Sequence, residues 1–380
     1  MERGKKQANY TNPNRNNKWR EVKKEDFIGK SLEGINTSVS SHSDIYIPCY
    51  SVCIGGSIES LYGPDQDSLL LDSLSSENIV FMAKTKTGSK RLQQYIAKSR
   101  PEEIEKIVSS VAQNMGELMI DLYGNYMCQT LVQSCSSCQR LALLSGMRNS
   151  VINISKNSRG THALQNLISI ANLAEEETIY QQCFSGQILT LSKDPNASHV
   201  IQRLLMTVKN KYFVIKEILG HVKELAMDKL GLCVIKKCVK DPQIFNEILE
   251  HCLVLMQDPY GNYAVQNVLE TWKEECAFEF ISSIQGKTAQ LCIQKYASNV
   301  MEKAMKIENI RQAIIRELIN EAKLDLLLGS QYGCYVMRTA AIESDRNTRL
   351  EMAEAISLVA PKLHNAKLQS QWDEIMSNLR

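Results

Sequence analysis

The stretch Asp258–Glu270, with the sequence DPYGNYAVQNVLE, decides the architecture that we predict for the whole chain. It opens with Asp258-Pro259, which ends a preceding helix, and Gly261 then allows the backbone conformations that a tight turn needs. A new helix is therefore expected to begin near Asn262.

This helix is predicted to have two chemically different faces. At about 100° per residue, Asn262, Tyr263 and Gln266 fall on one arc of the helix. The opposite arc is apolar and comprises Ala264, Val265, Val268 and Leu269. The apolar arc is typical of a core face, and the amide–ring–amide arc suits a flat ligand that forms hydrogen bonds.

Related stretches recur along the chain. Aligned on their small residue they are TGSKRLQ at Gly88, YGNYMCQ at Gly124, RGTHALQ at Gly160, NASHVIQ at Ala197, LGLCVIK at Gly231, YGNYAVQ at Gly261, YASNVME at Ala297 and YGCYVMR at Gly333. Successive spacings are 36, 36, 37, 34, 30, 36 and 36 residues. Eight copies at such a period indicate a repeat architecture.

Each unit is expected to contain two or three short helices with one apolar face. Such a unit cannot bury that face alone, so the units are predicted to stack from about residue 68 to about residue 344. A helix near Glu77–Thr85 would open the array. Residues 345–380 would cap its far end with helices over Thr348–Leu363 and Lys367–Leu379.

Composition narrows the class of protein. The chain has 380 residues, of which 44% are apolar, with no run of about 18 apolar residues and no apolar segment in its first 20 residues. We therefore expect no membrane association and a cytoplasmic location. Residues 1–67 are predicted to be a basic segment that is largely disordered or extended, interrupted by the apolar patch Ile45–Tyr50.

Twelve cysteines are scattered along the chain, mostly at apolar helix positions. Cys135/Cys138 and Cys49/Cys53 are the pairs closest to metal-ligand spacing, but neither has a second well-spaced pair. The cysteines are predicted to be small core residues. No metal, cofactor or catalytic residue is expected, because the sequence shows no phosphate loop, His/Cys constellation or metal-ligand cluster.

The eight copies resemble the repeats of the Pumilio, or PUF, RNA-binding proteins, most closely in YGNYMCQ, YGNYAVQ and YASNVME. The resemblance implies an all-α, right-handed α-solenoid of eight repeats that forms a crescent with terminal helical caps. It further implies that single-stranded RNA binds antiparallel to the chain, with one base bound per repeat by two or three side chains. We number the copies as repeats one to eight and call the three variable residues of each copy its triplet.

Two triplets imply uracil: Asn125, Tyr126 and Gln129 in repeat two, and Asn262, Tyr263 and Gln266 in repeat six. Their first and third members are four residues apart on one helix face, so the asparagine and the glutamine are both expected to address the Watson–Crick edge of the base. The glutamine amide can donate to uracil O4 and accept from N3–H. The tyrosine is expected to stack between bases.

The triplet of repeat seven, Ser298, Asn299 and Glu302, implies guanine. An ionised carboxylate only accepts hydrogen bonds, and guanine offers N1–H and N2–H₂ side by side. This pairing is the most specific prediction that the sequence makes.

Three other triplets are Ser89, Lys90 and Gln93 in repeat one, Ser198, His199 and Gln202 in repeat four, and Thr161, His162 and Gln165 in repeat three. The triplets of repeats one and four resemble adenine readers. In repeat one, however, the ammonium of Lys90 stacks less well than the more usual arginine. The third leaves adenine and pyrimidine open.

Two triplets depart from the family pattern: Leu232, Cys233 and Lys236 in repeat five, and Cys334, Tyr335 and Arg338 in repeat eight. Repeat five has neither a stacking ring nor an amide, so a base could sit loosely there, turn away, or be held only by its phosphate through Lys236. Arg338 can donate to guanine O6/N7 or to a pyrimidine carbonyl. The implied target is 5′-NGUNANUA-3′, which is compatible with UGUA-containing RNA.

The resemblance implies a monomeric protein, not an enzyme, that binds mRNA 3′ untranslated regions and represses translation or stability. Deadenylase or other repressor proteins would bind its convex face. One alternative is a divergent PUF-like protein that binds structured RNA in ribosome biogenesis. The other is an armadillo- or HEAT-like scaffold that binds protein segments.

Overall fold

A computed structural model describes residues 73–319, 321–359 and 366–379. The chain divides into two units, Met1–Ser60 and Leu61–Arg380, and all described residues belong to the second. The predicted basic segment 1–67 and its apolar patch Ile45–Tyr50 lie outside the described residues.

The described segments contain helices and turns and no strand. In chain order, the α-helices are α1 Ser76–Ala83, α2 Lys86–Ile96, α3 Glu105–Val111, α4 Met115–Ile120, α5 Gly124–Ser134, α6 Ser137–Met147, α7 Val151–Lys156, α8 Gly160–Ser169, α9 Ala174–Phe184, α10 Ile188–Ser192, α11 Ala197–Thr207, α12 Tyr212–Ile218, α13 Val222–Ala226, α14 Gly231–Cys238, α15 Pro242–Glu250, α16 Cys252–Met256, α17 Gly261–Trp272, α18 Ala277–Ile284, α19 Thr288–Cys292, α20 Ala297–Ala304, α21 Glu308–Leu318, α22 Glu321–Leu328, α23 Gln331–Glu343, α24 Arg346–Val359 and α25 Ala366–Leu379.

One helix from each repeat carries the triplet, and these eight helices pack side by side. Each contacts the next in the order α2, α5, α8, α11, α14, α17, α20 and α23, and α25 packs against the last. We call these eight helices the triplet row. The shorter helices between them close a continuous apolar core, so the structure confirms the predicted all-α solenoid.

In repeats two to six, an aspartate or asparagine oxygen caps the start of the triplet helix. In repeat six, Asp258 Oδ1 accepts from the backbone N–H groups of Tyr260 and Gly261 at 2.8 and 2.7 Å, which satisfies donors that the helix leaves free. The helix begins at Gly261, one residue before the predicted position. Ala264, Val265, Val268 and Leu269 are all buried, as predicted.

The structure gives a different reason for the glycine at this position. Gly261 is helical, and a Cβ added to it would lie 2.7 Å from the carbonyl oxygen of Leu255. Close approach of two backbones, rather than an unusual φ, therefore requires a small residue. The two copies that carry alanine instead, Ala197 and Ala297, bury it completely.

Glutamates link neighbouring repeats through backbone N–H groups. Gly220 follows α12 with φ +80°, and its N–H donates to Glu247 Oε2 of the next repeat at 2.8 Å. Glu247 Oε1 also accepts from Val222 N at 2.9 Å. The same link joins Gly186 to Glu217 and Gly286 to Glu317. These links fix the stacking of successive repeats and hence the spacing of the triplets.

The 30-residue spacing between repeats five and six comes from a short triplet helix and from short connections: α14 has 8 residues where α17 has 12, and the single residue His251 joins α15 to α16. The triplet helix α14 ends at Cys238, and α15 already begins at Pro242, with Asp241 as its capping residue. Despite the shorter repeat, α14 still contacts the next triplet helix, α17, and α15 contacts α17 and α18. Within the described segments, no helix is long and apolar enough to cross a membrane.

Candidate nucleic-acid interface

The triplets share one pattern of exposure. In every repeat the first member is buried and the second is exposed, and in all repeats but the fifth the third is half-buried. In repeat six, Asn262 is 1% exposed and Tyr263 is 50% exposed. The triplet row therefore presents a line of exposed side chains, beside which the third members lie partly accessible.

The buried asparagine holds the glutamine of its own triplet. Asn262 Nδ2 donates to the carbonyl oxygens of Asp258 and Pro259 at 2.8 and 3.0 Å, and its Oδ1 accepts from Gln266 Nε2 at 2.8 Å. Gln266 keeps one N–H and its carbonyl oxygen for a ligand. Asn125 makes the equivalent contacts to Asp121 and Leu122, and it accepts from Gln129 at 3.3 Å.

Hydroxyl groups take the same supporting position in two other repeats. Gln93 Nε2 donates to Ser89 Oγ at 3.1 Å, and Gln165 Nε2 donates to Thr161 Oγ1 at 3.1 Å. In repeat four the Ser198 hydroxyl is buried and has no partner among the described residues. In repeats one, two, three and six, the first member of the triplet therefore orients the third.

Glu302 lies in a groove between two triplets. Tyr263, Gln266, Asn299 and Lys306 line this groove with it. One carboxylate oxygen, Oε1, accepts from Thr339 Oγ1 at 3.4 Å. A half-buried carboxylate next to two amides can accept two adjacent N–H groups from a planar ligand.

A second groove lies between Tyr126 and His162. Two cationic side chains, Arg159 and Arg203, join the triplet residues that line it. A ring on one side, an imidazole on the other and guanidinium groups nearby suit a stacked base with its phosphate.

Repeat five is different. Leu232 is 7% exposed, so the buried first position of this triplet carries no polar group. Cys233 and Lys236 are both exposed. No side chain of this triplet can orient another by a strong hydrogen bond, because the first member is apolar. The structure therefore offers no defined base edge at this position.

In repeat eight, Tyr335 keeps the exposed ring at 45%. Burial raises the pKa of the Cys334 thiol to about 11, so the first member stays a neutral and weakly bonding group. Arg338 Nη2 instead donates to Glu374 Oε2, which belongs to α25, at 2.5 Å.

A fourth contact position escaped the sequence analysis. Asn166 Nδ2 donates to Gln129 Oε1 of the preceding repeat at 3.3 Å, and Thr339 contacts Glu302 in the same way. Each directly follows the third member of its own triplet. This position is polar in all eight repeats: Gln94, Thr130, Asn166, Arg203, Lys237, Asn267, Lys303 and Thr339. That regularity was the available sequence signal.

Comparison with known proteins agrees with this geometry. A family profile described as "PUF: Pumilio-family RNA binding repeat" matches residues 114–145, 187–219, 221–249, 251–281 and 287–319. Pumilio homolog 12 of Arabidopsis thaliana is 33% identical over 293 residues, which are 74% of this chain and 49% of that protein. The chain belongs to the Pumilio family of RNA-binding repeat proteins.

Other Pumilio relatives give the same result. A Pumilio domain-containing protein of Schizosaccharomyces pombe is 30% identical over 303 residues, 77% of this chain and 44% of that protein. The chain thus spans about half the length of the curated relatives it matches.

A solved structure of the Puf4 RNA-binding domain bound to an RNA 3′ UTR recognition sequence is also similar. It is 26% identical, with a TM-score of 0.72, and the match covers 77% of this chain and 97% of that one. The RNA-binding roles of individual triplet residues in this Pumilio-family chain stay predictions.

Proposed function

We propose that the triplet row binds single-stranded RNA in a sequence-selective manner, with the target 5′-NGUNANUA-3′ and the RNA running antiparallel to the chain. The observation that carries this proposal is the repeated order of a buried, an exposed and a half-buried side chain in successive helices. The similarity to an RNA-bound Puf4 domain supports it.

Affinity comes mainly from the exposed second members. Tyr126, Tyr263 and Tyr335 are between 45% and 58% exposed, so their rings are accessible to bases on both sides. Stacking of one base on such a ring contributes about 1–3 kcal/mol and depends little on which base it is. The exposed His162 and His199 take the same position with imidazole rings.

Selectivity comes from the half-buried third members. The free N–H and carbonyl oxygen of Gln266 match uracil O4 and N3–H, and Gln129 is placed in the same way. Asn262 and Asn125 bond to their own helix starts, so in this proposal they position the glutamines beside the base edge. Glu302 accepts from guanine N1–H and N2–H₂.

The biological role follows by family similarity. We propose that the protein acts on mRNA 3′ untranslated regions in the cytoplasm and reduces translation or stability by recruiting repressor or deadenylase proteins. Binding of structured RNA in ribosome biogenesis is the competing proposal, which the basic residues 1–24 and the degraded triplet of repeat five favour. A protein-binding scaffold would not need the regular amide and carboxylate triplets.

Selection of bound RNAs from a random pool tests the proposal directly. We expect enrichment of a GU dinucleotide followed, after one variable position, by adenine. Selection without a GU dinucleotide would contradict base reading by repeats six and seven.

A substitution of Glu302 tests the guanine assignment. Glu302→Gln replaces one acceptor oxygen with a donor, so binding to RNA with guanine at the second position should weaken by about 1–3 kcal/mol. RNA with another base there should lose less. Titration of fluorescent RNAs that differ at this base measures both losses of affinity. Glu279→Gln on helix α18, outside the triplet row, is the matched control. An equal loss on all RNAs would point to a folding defect.

A further inference from the structure

We propose that Glu374 of α25 orients Arg338, so that the C-terminal helix acts as a ninth member of the triplet row and sets the base preference at the 5′ end of the RNA. This inference rests on the proposed RNA binding and adds a specificity-determining residue outside the eight triplets.

The third member of a triplet is contacted by the helix that follows it in the row: Gln129 by Asn166 and Glu302 by Thr339, each across 37 residues. Arg338 is contacted by Glu374 across 36 residues. Within the described residues, α23 is the last helix that carries a triplet, and α25 packs against it as each row helix packs against the next. Glu374 therefore occupies the position that a following repeat would supply.

Arg338 has no support within its own triplet. In repeats one, two, three and six, the first member accepts a hydrogen bond from the third. Repeat eight has Cys334 in that position, and a thiol is a weak acceptor. Arg338 Nε is buried and has no partner among the described residues. The Glu374 carboxylate, 2.5 Å from Nη2, is thus the group that holds the guanidinium.

Buried residues on α25 hold the backbone at Glu374 in place. Glu374 lies between Trp372 and Ile375, which are 1% and 0% exposed and anchor α25 in the core. The backbone that carries Glu374 is therefore fixed relative to the triplet, although the carboxylate itself remains accessible to solvent.

This arrangement has a consequence for recognition. A guanidinium only donates hydrogen bonds, and the terminal Nη N–H groups of Arg338 that Glu374 does not use lie in one plane, which gives a flat donor edge. Such an edge fits a base that offers two adjacent hydrogen-bond acceptors. It fits less well a base on which every acceptor lies next to a donor. Without Glu374 the arginine side chain can rotate, and the selectivity of the position should fall.

The test measures binding of the full chain to four RNAs that differ only in their first base, together with a heptamer that lacks it. For the unchanged protein we expect the best and worst of the four RNAs to differ by about tenfold. Glu374→Gln should reduce this ratio to about twofold or less and leave the affinity for the heptamer unchanged. Asp373→Asn, an exposed neighbour on the same helix, is the control with the same change of charge.

A second set of variants distinguishes an effect of Glu374 on the position of Arg338 from an effect on folding. Cys334→Asn with Arg338→Gln rebuilds the triplet of repeat six, in which the first member holds the third. In that background Glu374→Gln should leave the ratio between the four RNAs unchanged. The role of Glu374 is overturned if Glu374→Gln lowers the ratio of affinities between the four RNAs in this background as well. It is also overturned if Glu374→Gln leaves that ratio unchanged in the otherwise unaltered protein. Failure of the unchanged protein to bind any of the RNAs would instead overturn the proposed function.

Discussion

Asn262 and Tyr263 are adjacent residues with different environments, and this difference predicts different effects on RNA binding. Asn262 is buried and bonded to its own helix start and to Gln266, whereas the Tyr263 ring is half exposed. Tyr263→Ala should therefore weaken RNA binding by about 1–3 kcal/mol whichever base lies at the third position, because stacking is nearly independent of base identity.

Asn262→Ala should reduce the preference for uracil at that position, since Gln266 loses the acceptor that orients it. It should also lower the free energy of unfolding by about 1 kcal/mol through loss of two hydrogen bonds at the helix start. Titrations with uracil and cytosine at the third position, together with urea denaturation, measure these effects. A loss of uracil preference in Tyr263→Ala but not in Asn262→Ala would contradict this division of roles.

These residues also show how far the sequence predicts the site. The helical period placed Asn262, Tyr263 and Gln266 on one arc, because that placement depends only on local geometry. It did not distinguish the buried member from the exposed one, since burial is set by the neighbouring helix. The partner of Arg338 was not predictable for the same reason: Glu374 lies 36 residues away and reaches it only through the packing of α25.

Among the helices of the row, α14 offers a direct test of whether RNA covers repeat five. Cys233 occupies the exposed second position of its triplet, and Cys138 on α6 is an exposed cysteine outside the triplets. If a base lies over repeat five, cognate RNA should slow alkylation of Cys233 several-fold and leave the rate at Cys138 unchanged. Mass spectrometry of peptides after iodoacetamide treatment measures both rates.

The buried cysteines provide an internal control for this experiment. Burial raises the pKa of Cys238 and of Cys252 to about 12, so almost no thiolate forms at pH 8 and both should stay unmodified in the folded protein. Rapid alkylation of Cys238 would show that α14 opens locally. Equal rates at Cys233 with and without RNA would show that the base at repeat five turns away from the protein.

The helix order was predictable from the sequence because each repeat marks its triplet helix with a small residue and an apolar pattern. How the 30-residue spacing divides between a shorter triplet helix and shorter connections was not predictable, because either change gives the same residue count. The role of Gly261 was also assigned differently from the sequence: the tight contact with the Leu255 carbonyl, rather than turn geometry, excludes a side chain there. Such contacts between backbones depend on tertiary packing.

At the scale of the whole molecule, charge predicts how RNA binding should depend on salt. The chain carries a formal net charge of +2, but residues 1–24 contain eight of the 44 Lys and Arg residues and only two of the 42 Asp and Glu. Residues 25–380 therefore carry a net charge of −4. Binding by the repeats must then rely on stacking and base-edge hydrogen bonds rather than on bulk positive charge.

We therefore expect a shallow salt dependence. A plot of log affinity against log salt concentration for the cognate RNA should have a slope no steeper than about −2, which corresponds to about three phosphate contacts. Replacement of Lys5, Lys6, Lys23 and Lys24 with glutamine should weaken cognate and non-cognate RNAs by the same factor and flatten both slopes, because phosphate contacts carry no sequence information. A slope near −5 that is equal for both RNAs would show that phosphate attraction dominates, and would contradict recognition by the triplets.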